Sequence, residues 1–177
     1  MPLSSVQQAI VAAANAQGVP PALALAVADQ ESGFNQNSVG PAGDTGIFQI
    51  IPSTAAALGV DPTNEAQNIQ GGVAYLGQQL AAFGDPRFAL WAYNAGPSRV
   101  QAFISNGQPV PASTVRYANA VLAKVPKYQA LLAGTDASAA GDSAGAGAPP
   151  ASSAQGNAAP WILGGLGALA IALVLTD

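Results

Sequence analysis

The chain has 177 residues, half of them apolar and only 8% charged, with a formal net charge of -4. That is enough to bury one core of ordinary domain size, and it leaves no basic face to neutralise phosphates, so nucleic acid is not an expected partner. There is no Cys and no His, which removes thiol nucleophiles, Ser-His and Cys-His pairs, disulfides and the usual zinc ligands together; chemistry must run on carboxylates, hydroxyls, amides or backbone groups, and no metal or cofactor is expected.

The opening MPLSSVQQAIVAAANAQG lacks a basic start followed by an unbroken apolar run, so it reads as a helix and not as a secretory signal. That first helix runs from Ser5 to Gln17 on Val6, Ile10 and Ala13 and closes at Gly18. A second starts at Pro20-Pro21 and ends before Gly33. The segment NSVGPAGDTGIFQIIP then leads into a short apolar run, Ile47 to Ile51, which fits either a small hairpin or an extended loop wall. A short helix after Pro52 stops at Gly59. Between Asn64 and Phe83, Ile69, Val73, Leu76, Leu80 and Phe83 form one stripe, weakened by Gly71, Gly72 and Gly77. Asp85 caps and Pro86 starts the next helix, which ends at Gly96-Pro97; two more lie near Ser98 to Ser105 and Ser113 to Val125. No long alternating stretch supports a dominant sheet, so residues 1–133 read as one mainly α domain.

After about Gly134 the chain loses large apolar residues and periodicity, and 134–160 reads as a Gly/Ala/Ser/Pro-rich flexible linker. The uncharged run WILGGLGALAIALVL, residues 161–175, reads as a transmembrane helix. At about 1.5 Å per residue it covers roughly 22 Å, somewhat short of a hydrocarbon core about 30 Å thick. A buried core helix is the alternative, but it would need a polar face. Gly164, Ala168 and Ala172 give that helix one small-residue face, which leaves self-association open.

Glu31 stands out against this pattern. Leu23, Val27 and Glu31 are spaced i, i+4, i+8, so the carboxylate extends a face that should be buried, at the C-terminal end of its helix where the dipole is negative. Both effects disfavour the charged form and should raise its pKa, as a general acid that later becomes a base requires. On spacing alone, an edge glutamate reaching out to water explains it equally well.

Further motifs bear on that choice. The order QESGFN, GPAGDTGIFQIIPSTAAALGV, DPTNEAQNIQGGVAYLGQQL, ALWAYNAGPSRV and STVRYANAVL resembles the soluble lytic transglycosylase domain, which has a lysozyme-like fold, across about Ser5 to Val125. The resemblance implies that Glu31, followed by Ser32, is the catalytic residue. It also implies that Gly46-Ile47-Phe48-Gln49 matches the family's Gly-Leu-Met-Gln wall, with Gln49 binding sugar, that Tyr93 and Asn94 of the Tyr-Asn-Ala-Gly turn line the cleft, and that Tyr117 is oriented towards the acid. Ser32, Gln49, Phe48, Tyr93, Asn94 and Tyr117 are thus the expected substrate contacts. The residue types suit a saccharide, whose apolar ring faces and hydroxyl edges call for aromatic surface beside amides and hydroxyls. The chain departs from the pattern at Gly40, where a Ser is common, at Ser113, where Glu is usual, and at Phe48 in place of Met.

The resemblance implies a lytic reaction on peptidoglycan glycan strands, between N-acetylmuramic acid and N-acetylglucosamine, that leaves a 1,6-anhydro end. Hydrolytic glycosidases usually pair two carboxylates. Here Asp29 points elsewhere on its helix, Glu65 reads as a first-turn charge and Asp85 as a cap, which leaves Asp44 as the one candidate partner. A hydrolysing lysozyme of related fold and a non-catalytic glycan-binding module are the rival readings. An enzyme, a tether and a C-terminal anchor without an export signal suggest a lipid membrane as second partner. That membrane would be the internal one of a phage virion, used to open the wall during infection, or alternatively the host cell envelope. Its orientation is not legible, since no Lys or Arg follows Lys127.

Overall fold

The computed structural model describes residues 2–141, with side chains through residue 134. The described residues form helices α1 (Ser5–Ala16), α2 (Pro21–Glu31), α3 (Pro52–Leu58), α4 (Glu65–Phe83), α5 (Pro86–Ala95), α6 (Pro97–Asn106) and α7 (Ala112–Gly141). Local chemistry sets most of the boundaries. Ser4 and Gln7 form a reciprocal capping box on α1, Asn64 caps α4, and Asp85 accepts from the backbone N–H groups of Arg87 and Phe88 to start α5. Gly59, Gly84 and Gly107 take left-handed conformations that end α3, α4 and α6.

The core is built around α2, which packs between α1 and α7. Every residue from Ala22 to Ala28 is buried. This corrects the expectation of a single buried stripe through Leu23, Val27 and Glu31. The helix is enclosed on all sides, and its alanines keep it thin enough for neighbours to close over every face. The glycines that weaken α4 as an isolated helix are explained by its neighbours. A Cβ at Gly72 would lie 2.1 Å from Cγ of the fully buried Phe48, and one at Gly71 would lie 3.0 Å from Val60. Helix propensity is given up there so that the segments on either side of α3 can lie directly on the helix.

The loop before α3 contains the run Ile47 to Ile51, expected as either a small hairpin or an extended loop wall. Among the described residues it holds no strand, only isolated antiparallel bridges pairing Val39 with Thr45 and Thr45 with Ile50. Thr45 and Ile50 exchange both backbone hydrogen bonds, at 3.1 and 3.0 Å, closing a tight loop over residues 46–49. Gly46 at φ 80 and Gln49 at φ 47 make the turn. A longer hairpin has no room, because Gly40 N–H already bonds Asp44 O at 2.8 Å and Gly46 N–H bonds Ser38 O at 2.9 Å. Buried Asn68 of α4 then fastens the loop: its amide donates to Thr45 O at 2.8 Å and Pro62 O at 3.0 Å, and its carbonyl accepts from Phe48 N–H at 2.9 Å.

The last helix differs from its expected end at Val125. It continues through Pro126, whose missing N–H removes one intrahelical bond on an exposed side, because Tyr128 beyond it is fully buried and carries the helix on. The bounds of α7 reach into the stretch read as a linker; the rest of that stretch, and the apolar run 161–175 with its small-residue face, lie outside the described residues. Among the described residues no helix is long and apolar enough to cross a membrane.

Candidate active site

Glu31 is the last residue of α2, at the floor of a cleft of about 400 Å³ walled by the 42–51 loop, by α4 through Tyr75 and by the α5 end, Tyr93 to Gly96. A larger groove of about 620 Å³, bounded by alanines of α1 and by α4, contains no titratable side chain, so the smaller cleft is where chemistry can occur.

Two carboxylates two residues apart on α2 meet opposite surroundings. Asp29 accepts from Lys124 at 3.0 Å, Lys127 at 3.5 Å and the Tyr128 hydroxyl at 2.7 Å. Burial works against its charge, but the Tyr128 and Lys124 bonds and the two ammonium charges outweigh that and hold the carboxyl below its usual range. Among the described residues no cation contacts Glu31. Its Oε1 accepts a 2.5 Å hydrogen bond from the Tyr117 hydroxyl of α7. Burial pushes its pKa up to about 7, with the Tyr117 bond pulling down and the charge of Asp44 adding to the rise. Tyr117 itself is pushed well above the ordinary tyrosine range by burial and by Glu31, so it remains a neutral donor. A carboxyl poised near neutrality can give a proton and take one back.

The other expected contacts separate into two groups. Gln49 and Asn94 line the cleft. The Gln49 amide nitrogen is spent on the loop, donating to Gly46 O at 2.7 Å and Ser38 O at 3.1 Å, so the side chain is locked in place. Asn94 accepts from Thr114 Oγ1 at 2.9 Å, a contact that joins α5 to α7. Tyr93 also lines the cleft, with its hydroxyl donating to Phe48 O at 2.9 Å.

Ser32 and Phe48 do not line the cleft. The Ser32 hydroxyl donates to Ile47 O at 2.9 Å and accepts from Asn35 N–H at 3.0 Å, tying the end of α2 to the loop. Phe48 is fully buried and lines no part of the cleft, which corrects its expected role as aromatic sugar surface. Gly72 leaves the space its ring fills, and the backbone of the wall depends on that anchor. The second aromatic face is Tyr75, which the sequence reading did not single out; its ring lies 5.2 Å from that of Tyr93. Its only signal was position, one residue before Leu76 of the apolar stripe and therefore turned off the core. Asp44 does line the cleft with Glu31, while Asp85 is a cap and Glu65 a first-turn charge, as expected.

Residues 8–114 match the family described as Transglycosylase SLT domain. The chain is 39% identical over 94 residues to a transglycosylase of Enterobacteria phage PRD1, half of this chain and 34% of that protein. It is 32% identical over 125 residues to the membrane-bound lytic murein transglycosylase F of an Enterobacter strain, 63% of this chain and 24% of that one. Its fold superposes on the 70 kDa soluble lytic transglycosylase of Escherichia coli with a TM-score of 0.65 and 28% identity, over 71% of this chain and 24% of the other. A 70-kDa soluble lytic transglycosylase in complex with bulgecin A gives 0.66 at 26% identity, over 72% of this chain and 24% of the other. The matched region is thus about a third of the phage protein and about a quarter of each of the others.

Proposed function

Because this chain belongs to the transglycosylase SLT domain family, with its mainly helical lysozyme-like fold, we propose that it is a lytic transglycosylase that cuts peptidoglycan glycan strands, with Glu31 as its acid and base. The observation that carries this reading is the Glu31 carboxyl, hydrogen-bonded by neutral Tyr117 and raised to about 7 at the floor of a cleft walled by two tyrosines and two amides.

The reaction follows from a single proton-carrying group. Glu31 gives its proton to the oxygen that links N-acetylmuramic acid to N-acetylglucosamine, and the C1–O bond breaks with its electron pair going to that oxygen. The positive charge left on C1 is shared by the N-acetyl group of the muramyl residue. Glu31, now a carboxylate, takes the proton of the muramyl 6-hydroxyl as O6 bonds to C1, closing the 1,6-anhydro ring and restoring the acid. No water is consumed. Tyr75 and Tyr93 offer faces for sugar rings, and Gln49 and Asn94 offer polar edges for hydroxyl and acetamido groups.

Mass analysis of peptidoglycan digested by the full-length chain tests this. Anhydromuramyl ends are expected; reducing ends alone, one water heavier, would establish a hydrolase, and an intact wall would establish a glycan-binding module.

We propose further that the apolar run 161–175 anchors the enzyme domain in a membrane through the stretch that follows α7, that membrane being a virion's in preference to the host envelope. The relatives named a phage transglycosylase and a membrane-bound lytic murein transglycosylase support this placement. Zymography and immunoblotting of purified particles before and after detergent extraction check it; protein absent from particles but present in uninfected envelopes would refute the virion placement.

A further inference from the structure

The cleft holds a second carboxylate that the single-acid reaction does not use. Asp44 lies in the loop wall, with one carboxylate oxygen fixed by the Ala42 N–H at 3.1 Å, and it lines the same cleft as Glu31. Its seat depends on Gly40. A Cβ at position 40 would fall 1.8 Å from Asp44 Oδ2, 2.4 Å from its Cγ and 2.5 Å from its Oδ1, and those three are the nearest atoms it would meet. Gly40 is not among the residues with positive φ, so its backbone has no need of glycine. The space taken by the Asp44 carboxylate supplies the need.

We propose that Asp44, seated in a notch that only a residue without a Cβ at position 40 leaves open, is a positioning residue of this cleft, whose fixed negative charge acts on Glu31 and on the reacting sugar. This deepens the proposed transglycosylase reading and rests on it. Before bond cleavage, a nearby negative charge disfavours a second one on Glu31 and keeps the proton there for the glycosidic oxygen. As the bond breaks, positive charge develops on the sugar, and a fixed anion in a partly enclosed cleft stabilises it without reorganising. Once Glu31 is ionised, the same repulsion makes it a stronger base towards the 6-hydroxyl proton. The other groups facing Glu31 cannot substitute: Tyr117 from α7 and Tyr93 from α5 are both held neutral by burial.

The test compares the full-length chain with Asp44→Asn, Asp44→Ala, Gly40→Ala and Gly40→Ala/Asp44→Ala, measuring kcat and KM for peptidoglycan across pH, with thermal melts as the control for folding. Asp44→Asn should lower kcat on the order of tenfold with KM little changed. It should also move the alkaline limb of activity to lower pH, because the Glu31 proton is then lost more readily. Gly40→Ala should reproduce both effects, since displacing the end of a side chain costs less than moving backbone, yet add nothing in the Asp44→Ala background. Wild-type activity in Asp44→Asn, an unmoved limb, or a Gly40→Ala defect that persists without Asp44 would each overturn the proposal. So would loss of reducing-end products alone in Asp44→Asn, which would make Asp44 a base for water. Carboxyl titration of Glu31 by NMR separates the two layers. A lower Glu31 pKa in Asp44→Asn supports the coupling even where the wild type leaves the wall intact, an outcome that would remove the transglycosylase reading itself.

Discussion

Replacing Glu31 with Gln should stabilise the protein in a pH-dependent way. Glutamine keeps the shape of the side chain and an oxygen that can accept the Tyr117 hydrogen bond, but it never has to ionise. In the folded protein Glu31 titrates near 7, against an ordinary value of 4.5. Because the folded-state pKa is raised, the native protein binds more protons than the unfolded chain between those values, so wild-type stability falls as pH rises through that window. A difference of about 2.5 units at about 1.36 kcal/mol each makes the ionisation cost roughly 3 kcal/mol. Glu31→Gln should therefore match the wild type near pH 4 to within the small difference between neutral Glu and Gln. It should gain steadily to pH 7 and hold a constant advantage of about 3 kcal/mol above it, roughly 10 °C in Tm for a domain of this size. Urea unfolding of both proteins at several pH values reads the difference directly, and groups common to both cancel. A stability gap that does not change with pH would show that Glu31 is not held neutral by its surroundings. The same variant should lose at least about a hundredfold in activity, since it has no proton to deliver.

Three further perturbations probe the parts of the fold that set up this site. Tyr117→Phe removes the hydrogen bond that favours the Glu31 carboxylate, so the alkaline limb of activity should move to higher pH while the rate falls about tenfold; a pH–rate profile shows both. Asn68→Ala leaves the Phe48 N–H without its partner and takes one of two donors from the Thr45 and Pro62 carbonyls, which keep Ile50 N–H and Gln36, and should cost about 2 kcal/mol in urea unfolding; a cost below about 1 would mean that the loop wall does not depend on that side chain. Gly72→Ala drives a methyl into the Phe48 ring and should destabilise by about 2 kcal/mol or more, although alanine is the better helix former; a stabilised variant would refute the close approach of wall and helix.

The helices were legible because caps and stops are local. Asn64, Asp85 and Gly59 act within a few residues of themselves, and their chemistry is the same in a peptide as in the domain. What escaped was decided across the chain. The glycines of α4 look like weaknesses until Phe48, more than twenty positions earlier, is placed against Gly72. Phe48 itself carries the aromatic character expected of a sugar platform, but the notch in α4 draws it inward, and Tyr75 takes the exposed position. Pro126 ends a helix by local rules and fails to end α7, because burial of Tyr128 outweighs one lost hydrogen bond. Glu31 was found through a stripe that does not exist as such: every residue of α2 from Ala22 to Ala28 is inside, so an acid at its end was conspicuous for a stronger reason than the spacing supplied.

That enclosure explains how one helix can hold two carboxylates in opposite states. Asp29 and Glu31 are two residues apart, so on a helix they point about 200° from one another. Both are met by α7, but by different residues of it. Near its middle α7 offers Lys124, Lys127 and Tyr128, and Asp29 stays charged; a few turns earlier it offers only the Tyr117 hydroxyl, and Glu31 keeps its proton. The ion pairs at Asp29 and the Tyr117–Glu31 hydrogen bond are thus two contacts of one helix–helix interface, one a structural charge pair and the other part of the chemical site.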